Sequence, residues 1–250
     1  MDLYTAMKRT RATIVLLLSL LILASNVLVS RQIFAEISVA RGECIEAPEV
    51  YLNKLSFVIN KNPRSKSDRY YITSRLFCLY NDSRFTTASK YPDSFASTAA
   101  MDEIRSENKK NREACFKVIS KFLQSSREIR CEAIKVLAYF GDPRAATLLM
   151  SCDDINPADK ATLLAITGDR RAIPWILRQY KEAETLSGET GTVDVAPTIH
   201  RKKVYLNALF HLGTRAELPF IDGVLRNEKS DAIRERARLV KNHIEEFYPH

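Results

Sequence analysis

The sequence predicts an all-α fold, an α-solenoid of stacked antiparallel helix pairs that follows an N-terminal signal or anchor helix. Two observations predict it. A glycine turn recurs three times, at Gly141, Gly168 and Gly213. Apolar residues stand seven and four positions before each glycine, and again five and eight positions after it. These spacings place the apolar residues on one face of a helix before the turn and one face of a helix after it. A repeated helix pair that lacks a complete core of its own is typical of a solenoid.

The residues around each turn also favour helix ends. Asp142, Asp169 and Thr214 directly follow the three glycines, and each is a residue type that caps the start of a helix. We expect the glycines to end the preceding helices in the left-handed conformation. Residues 125–128 and 214–217 each have the Ser/Thr-x-x-Glu form of a capping box. Turn chemistry and apolar periodicity therefore predict the same helices.

Residues 129–149 carry an Arg-x-x-Ala start and a Gly-Asp-Pro-Arg-Ala turn, and they resemble the HEAT-like repeats of the phycobilisome-lyase type. Residues 163–177 and 209–221 match the same pattern less completely. The resemblance implies a HEAT-like repeat domain over residues 99–250. It is specific for the fold and leaves the function open, because such repeats serve many tasks.

The first 35 residues are typical of a targeting segment. Lys8, Arg9 and Arg11 precede the apolar run 14–24, which is shorter than the roughly twenty residues that span a bilayer. The interpretation is a cleaved signal peptide, with an uncleaved N-terminal anchor as the alternative. Either one predicts an exported chain, which is periplasmic or secreted, or is held at the inner membrane by a retained N-terminal helix.

Residues 36–98 are predicted to form a helical capping region at the start of the solenoid. Within it, residues 49–59 and 67–80 have helical periodicity, although the aromatic density of the second segment also suits a strand. Residues 83–97 have the composition of a connector. Beyond it, residues 99–108 and 112–124 are predicted as two helices. The polar residues 184–198 are predicted to be a long loop, and Trp175 is expected in the core.

The five cysteines show no Cys-x-x-Cys spacing, and in an exported protein disulfides are their natural use. Cys131 and Cys152 are equidistant from the turn at Gly141, so they would face each other across an antiparallel helix pair. Cys44 and Cys78 are centred on the predicted break near Pro63 in the same way. Cys115 would then be free and buried. Unpaired buried thiols throughout remain the alternative.

The sequence contains no pattern that predicts a catalytic, cofactor-binding or metal site. The four histidines are scattered, and no His-Glu dipeptide, P-loop, Gly-x-Ser-x-Gly or His-Glu-x-x-His motif occurs. We therefore predict a protein that is not an enzyme and that needs no cofactor. An enzyme of the bilin-lyase kind, or another HEAT-repeat enzyme or chaperone, is what the resemblance permits as an alternative. Export argues against bilin attachment, because the family's substrates are cytoplasmic or stromal antenna proteins.

The charge of the chain is mildly positive. It falls from +8 to +5 without the first 35 residues, which hold four basic residues and one acidic residue. Such a balance suits an anionic surface, an acidic protein or nucleic acid, and equally a solvated surface with no partner. Export makes a nucleic-acid-binding solenoid the least favoured function. Contact with a membrane is expected only through the N-terminal segment, if it is retained.

The predicted function is an exported, non-catalytic scaffold that binds another protein. Solenoids present the concave side as an extended binding surface. The helix register predicts an exposed stripe along the helices that precede the turns, and the aromatic residue with a hydroxyl group is its best hot-spot candidate. The candidate partner-binding residues are Glu132, Lys135, Tyr139, Asn207 and His211.

Overall fold

The computed structural model describes residue 44 and residues 47–60, 66–91, 95–188 and 195–248. The predicted signal or anchor helix in residues 1–35 lies outside the described residues. Within the described ranges the chain forms eleven α-helices and no strand, so the predicted all-α class is confirmed. The helices are α1 (Pro48–Asn60), α2 (Lys66–Tyr80), α3 (Ser83–Lys90), α4 (Phe95–Ile119), α5 (Arg127–Tyr139), α6 (Arg144–Met150), α7 (Pro157–Thr167), α8 (Ile173–Gly188), α9 (Val195–Leu212), α10 (Leu218–Asn227) and α11 (Asp231–Phe247). None of these helices is long and apolar enough to cross a membrane.

The helices stack as the repeats predict. In one layer α2, α5, α7, α9 and α11 lie side by side, and each packs on the next. Their partners α6, α8 and α10 pack against α5, α9 and α11. Leu137, Leu164 and Leu209, which stand four residues before the three glycines, are completely buried in this layer. The predicted α-solenoid of antiparallel helix pairs is confirmed.

The helix α4 departs from the predicted arrangement. Residues 99–108 and 112–124 are not two helices: α4 runs unbroken for 25 residues and ends in a 3₁₀ turn at Ser120–Gln124. The polar stretch at 108–111 contains no glycine or proline, so it does not end the helix. α4 packs against α1, α3, α5 and α7. It thereby connects the N-terminal helices to the repeats.

Two side chains of α4 lie over the C-terminal end of α5. Asn108 Nδ2 donates to the carbonyl oxygen of Tyr139 at 2.8 Å, and Arg112 Nε donates to that of Phe140 at 3.4 Å. The last carbonyls of a helix have no partner within it, and its dipole favours cations at that end. α4 therefore satisfies polar groups that the turn after α5 leaves free.

The three turn glycines serve two different purposes. Gly141 and Gly168 have the predicted left-handed conformation, with φ of 70° and 71°. Gly213 does not have a positive φ, so that prediction is wrong for the third turn. A Cβ atom on Gly213 would lie 2.5 Å from the carbonyl oxygen of Leu209 and 3.0 Å from Cδ1 of Ile244. Glycine is required there because the backbone and α11 leave no room.

The predicted caps are formed at one site and absent at the other. The capping box of Thr214 and Glu217 is present, with the Thr214 N–H donating to Glu217 Oε2 at 2.6 Å. The prediction of a capping box at residues 125–128 is wrong. The N-cap residue of α5 is Ser126, and its side chain makes no capping hydrogen bond.

An Asp-x-Arg arrangement recurs at the start of three helical segments. The backbone N–H and the guanidinium of the arginine both donate to the aspartate two residues before it, at distances of 2.6–3.1 Å. The pairs are Asp82–Arg84, Asp142–Arg144 and Asp169–Arg171. Two of them follow the predicted glycine turns. The first lies in the stretch predicted as a connector, where the structure instead has α3.

Two further predictions need correction. The loop at 184–198 is shorter than predicted, since α8 continues through Gly188 and α9 begins at Val195. Trp175 is only partly buried, and the ammonium of Lys160 lies 5.3 Å from the centroid of its ring. Lys160 is itself buried, which lowers the pKa of its amine. Stacking on an aromatic face offsets part of the cost of burying that charge.

Candidate protein-binding groove

The predicted disulfide between Cys131 and Cys152 is present. The sulfur atoms are 2.03 Å apart and the Cα atoms 6.4 Å apart, so the bond ties α5 to the segment that follows α6. Cys44 and Cys78, the other predicted pair, are both disulfide-bonded. Cys115 is free and buried as predicted, and burial raises the pKa of its thiol. Disulfides are compatible with an oxidising, exported environment.

Next to this disulfide, two adjoining cavities form what we call the groove. The first has a volume of about 290 Å³ and lies between α2, α3, α5 and α7. The second has a volume of about 370 Å³ and lies beside the first two turns of α5. Lys135 lines both cavities, so they share one wall. The lining residues are Phe77, Tyr80, Asn81, Phe85, Thr86, Ser89, Lys90, Lys135, Asp159 and Leu163 in the first cavity, and Arg127, Glu128, Cys131, Glu132, Lys135 and Asp154 in the second.

A hydrogen-bonded triad fixes the wall between the cavities. Tyr80 Oη donates to Glu132 Oε2 at 2.6 Å, and Lys135 Nζ donates to Glu132 Oε1 at 2.7 Å. Burial raises the pKa of Tyr80, and the neighbouring Glu132 carboxylate raises it further, so the phenol stays a proton donor. Both carboxylate oxygens of Glu132 are therefore engaged. Two predicted partner-binding residues, Glu132 and Lys135, belong to this triad.

A column of aromatic rings supports the floor of the first cavity. Phe77, Tyr80, Phe85, Tyr139 and Phe140 meet edge to face in that order, with centroids 5.5–6.2 Å apart. This edge-to-face geometry is favourable for aromatic pairs. Phe77 is the one ring of the column that is substantially exposed, at 36%. The column thus presents one accessible aromatic side chain on a rigid base.

The prediction that Tyr139 is exposed is wrong. Its side chain is 4% exposed, and its hydroxyl donates to Asp82 Oδ2 at 2.7 Å. Burial would raise the pKa of Asp82, but the hydrogen bonds from Arg84 and Tyr139 outweigh it and the pKa is lowered. Asp82, at the start of α3, and Phe85 within it cover this part of α5. Sequence periodicity does not reveal that cover, because residues 83–97 have the composition of a connector.

Asn207 and the side chain of His211 are also buried, against prediction. Asn207 is 5% exposed, and the side chain of His211 is 3% exposed, with Nδ1 lying 3.4 Å from Asp102 Oδ1. Asp102 belongs to α4, the helix whose side chains bind the turn after α5. The same helix therefore also contacts the C-terminal end of α9. The five predicted residues therefore do not form one exposed stripe. Glu132 and Lys135 line the groove, Tyr139 lies beneath it, and the other two lie in α9.

The groove carries charged groups that differ in their pairing. Arg127 Nε binds Asp154 Oδ2 at 2.6 Å, and Ser89 Oγ donates to Asp159 Oδ1 at 2.8 Å. Lys90 and Glu128, in contrast, make no ion pair or side-chain hydrogen bond with any described residue. In the part of the chain that the structure describes, no group of three or more His, Cys, Asp or Glu side chains could hold a metal ion. The groove is therefore lined by a mixture of aromatic and charged side chains.

Comparison with known proteins identifies the repeat. Residues 129–154 match the family model described as PBS lyase HEAT-like repeat. This range contains α5, the first glycine turn, α6 and both cysteines of the Cys131–Cys152 disulfide. No curated protein and no solved structure matches the chain. The chain thus contains a HEAT-like repeat, and the groove lies on the first helix of that repeat.

Proposed function

We propose that the protein is an exported, non-catalytic HEAT-like scaffold that binds another protein in the groove. The observation that carries this proposal is the groove itself, in which the exposed ring of Phe77 lies beside a polar rim. Binding surfaces between proteins concentrate their energy on a few aromatic or arginine anchors that are surrounded by polar groups.

Rigidity of the groove supports the same function. The disulfide holds α5 to the segment after α6, and the triad of Tyr80, Glu132 and Lys135 holds α5 to α2. A surface that is ordered before binding loses little conformational entropy when a partner arrives. Each of these supports lies directly beside the cavities, so the groove is preorganised for a partner.

Photo-cross-linking tests the proposal. A photoreactive phenylalanine replaces Phe77 in the groove and, in a matched control, Phe247 in α11, which is an exposed ring at 63%. Both changes keep an aromatic side chain at an exposed position. We expect a discrete protein adduct from position 77 in the exported fraction and none from position 247. Equal adducts from both positions, or none from position 77, would contradict a binding role for the groove.

Export is tested separately, by fractionation of cells that produce the tagged full-length chain. The expected result is protein outside the cytoplasm with Cys131 and Cys152 oxidised, since stable structural disulfides are rare in the cytosol. Full-length protein that remains in the cytoplasm with reduced cysteines would overturn the export proposal and leave the groove proposal standing.

A bilin-lyase-like activity is the second candidate, because the matched repeat model bears the PBS lyase description. Mixing the purified protein with a free bilin tests it through the absorbance of the pigment. The scaffold proposal expects the spectrum of the free pigment. A shifted spectrum, followed by transfer of the pigment to an acceptor protein, would replace that proposal with the enzymatic one.

A further inference from the structure

Two charged side chains of the groove, one in each cavity, make neither a hydrogen bond nor an ion pair with a described residue, and they are of opposite sign. Lys90 lines the first cavity and Glu128 lines the second. Both are exposed, and neither forms an ion pair with a described residue. The other charged groups are engaged: Lys135 pairs with Glu132, Arg127 pairs with Asp154, and Asp159 accepts a hydrogen bond from Ser89. Among the described lining residues, the first cavity has two lysines and one aspartate, and the second has two basic and three acidic side chains. The first cavity is therefore net positive and the second net negative.

The apolar surface lies on the positive side of this pattern. Phe77 lines the same cavity as Lys90, whereas the described residues that line the second cavity include no aromatic side chain. Phe77 is 36% exposed and meets the ring of Tyr80 edge to face, so an apolar side chain of a partner can cover its exposed part. A partner that fits must therefore place an apolar side chain next to an acidic one.

The spacing along α5 sets the length of the partner. Lys135, in the wall shared by both cavities, is seven residues from Glu128, which is about 10 Å along the helix at 1.5 Å per residue. An extended chain advances about 3.3 Å per residue. The residue that reaches Glu128 should therefore lie about three or more positions from the residue that enters the first cavity.

We infer that the groove binds an extended polypeptide segment with an acidic and an apolar residue at one end and a basic residue about three or more positions away. The acidic residue pairs with Lys90, the apolar side chain covers Phe77, and the basic residue pairs with Glu128. Complementary charges of this kind fix the register and orientation of a bound segment more than they raise its affinity. This inference rests on the proposed function and specifies the chemistry of its partner.

Selection from a library of random heptapeptides displayed on phage tests the inference on the purified, oxidised protein. The wild type should enrich peptides with one acidic, one apolar and one basic residue in this spacing. Glu128→Lys should replace the enriched basic residue with an acidic one. Lys90→Glu should replace the enriched acidic residue with a basic one. Lys117→Glu and Glu246→Lys make the same charge changes outside the groove and should leave the wild-type pattern unchanged.

Binding of one selected peptide, measured by fluorescence anisotropy, gives a second readout. Each groove variant should weaken binding about two- to fivefold, as expected for an exposed ion pair, and the control variants should not. A lack of enrichment by the wild type, or enriched charges that do not follow the groove variants, would overturn the inference. If a cross-link from position 77 persists in that case, the groove still binds a protein and only the partner's chemistry is wrong.

Discussion

The hydroxyl of Tyr139 donates a 2.7 Å hydrogen bond to the carboxylate of Asp82, and this bond joins the first HEAT-like helix to the start of α3. Both residues lie beneath the groove, and Asp82 is also bound by Arg84. The groove therefore depends on contacts between the N-terminal helices and the repeat, not on the repeat alone.

Removal of this hydrogen bond should destabilise the protein. Tyr139→Phe keeps the ring in the aromatic column but leaves the Asp82 carboxylate without one donor. A hydrogen bond to a charged group typically contributes about 1.5–3 kcal/mol, so a loss of roughly 1–2 kcal/mol is expected for this partly exposed carboxylate. Urea denaturation measures it. Tyr70→Phe, at an exposed ring on α2, is the control and should change stability by less than about 0.5 kcal/mol. Equal stability of the two variants would contradict the role of the bond.

Alanine should have opposite effects at two glycines. Gly168 has φ of 71°, and a Cβ atom there would lie 3.0 Å from a guanidinium nitrogen of Arg105. Gly168→Ala should therefore cost about 1–2 kcal/mol, mainly from the left-handed backbone. Gly223 lies in α10, where a Cβ atom would have no atom within 4 Å beyond the backbone of its own helix. Gly223→Ala should therefore add about 0.5–1 kcal/mol through helix propensity. Thermal or urea unfolding that shows the same sign for both changes would contradict this assignment.

The Cys131–Cys152 bond should contribute measurably to stability. A cross-link across 21 residues of separation is expected to contribute about 3 kcal/mol by restricting the unfolded chain. Under oxidising conditions, the free energy of unfolding of the double variant Cys131→Ser, Cys152→Ser should be lower than that of the wild type by about this amount. Addition of a reductant should lower the stability of the wild type more than that of the double variant. Peptide mass analysis of the unreduced protein that finds no linked peptide would show that the bond does not form.

Acid should weaken the packing of α11 on α9. Burial lowers the pKa of His243 below 6.5, and the nearby His211 lowers it further, while Asp102 and Glu246 partly oppose both. The unfolded chain therefore binds a proton at this site more readily than the folded one, and stability falls as the pH drops below about 6.5. Unfolding measured between pH 7 and pH 5 should show a smaller decrease for His243→Phe, whose ring keeps the stack on Phe210. A slope for His243→Phe identical to that of the wild type would contradict the assignment.

The repeats could be predicted from the sequence because the local rules agree there. Apolar spacing before Gly141 and Gly168, the residues that follow them and the symmetry of Cys131 and Cys152 about the first turn all depend on neighbours in the sequence. Burial of Tyr139 and of the His211 side chain depends on contacts with helices that are distant in the sequence, namely α3 and α4. Register along α5 and α9 shows which residues share a face, but it does not show that another helix covers that face.

One local signal in the sequence could have predicted the start of α3. Asp82 and Arg84 have the spacing of Asp142 and Arg144 and of Asp169 and Arg171, and they form the same cap. Asn81 takes the place of the turn glycine, so a search for Gly-Asp passes over it. The groove itself combines α2, α3, α5 and α7, and no periodicity within one helix predicts such a combination.

The most direct test of the groove as the binding site is to measure how tightly the oxidised protein binds the protein that cross-links at position 77. Phe77→Ala should weaken this affinity about fivefold or more, because an exposed aromatic anchor contributes more than about 1 kcal/mol at a hot spot. Phe247→Ala should leave the affinity unchanged. Wild-type affinity in a folded Phe77→Ala variant would contradict the groove as the binding site.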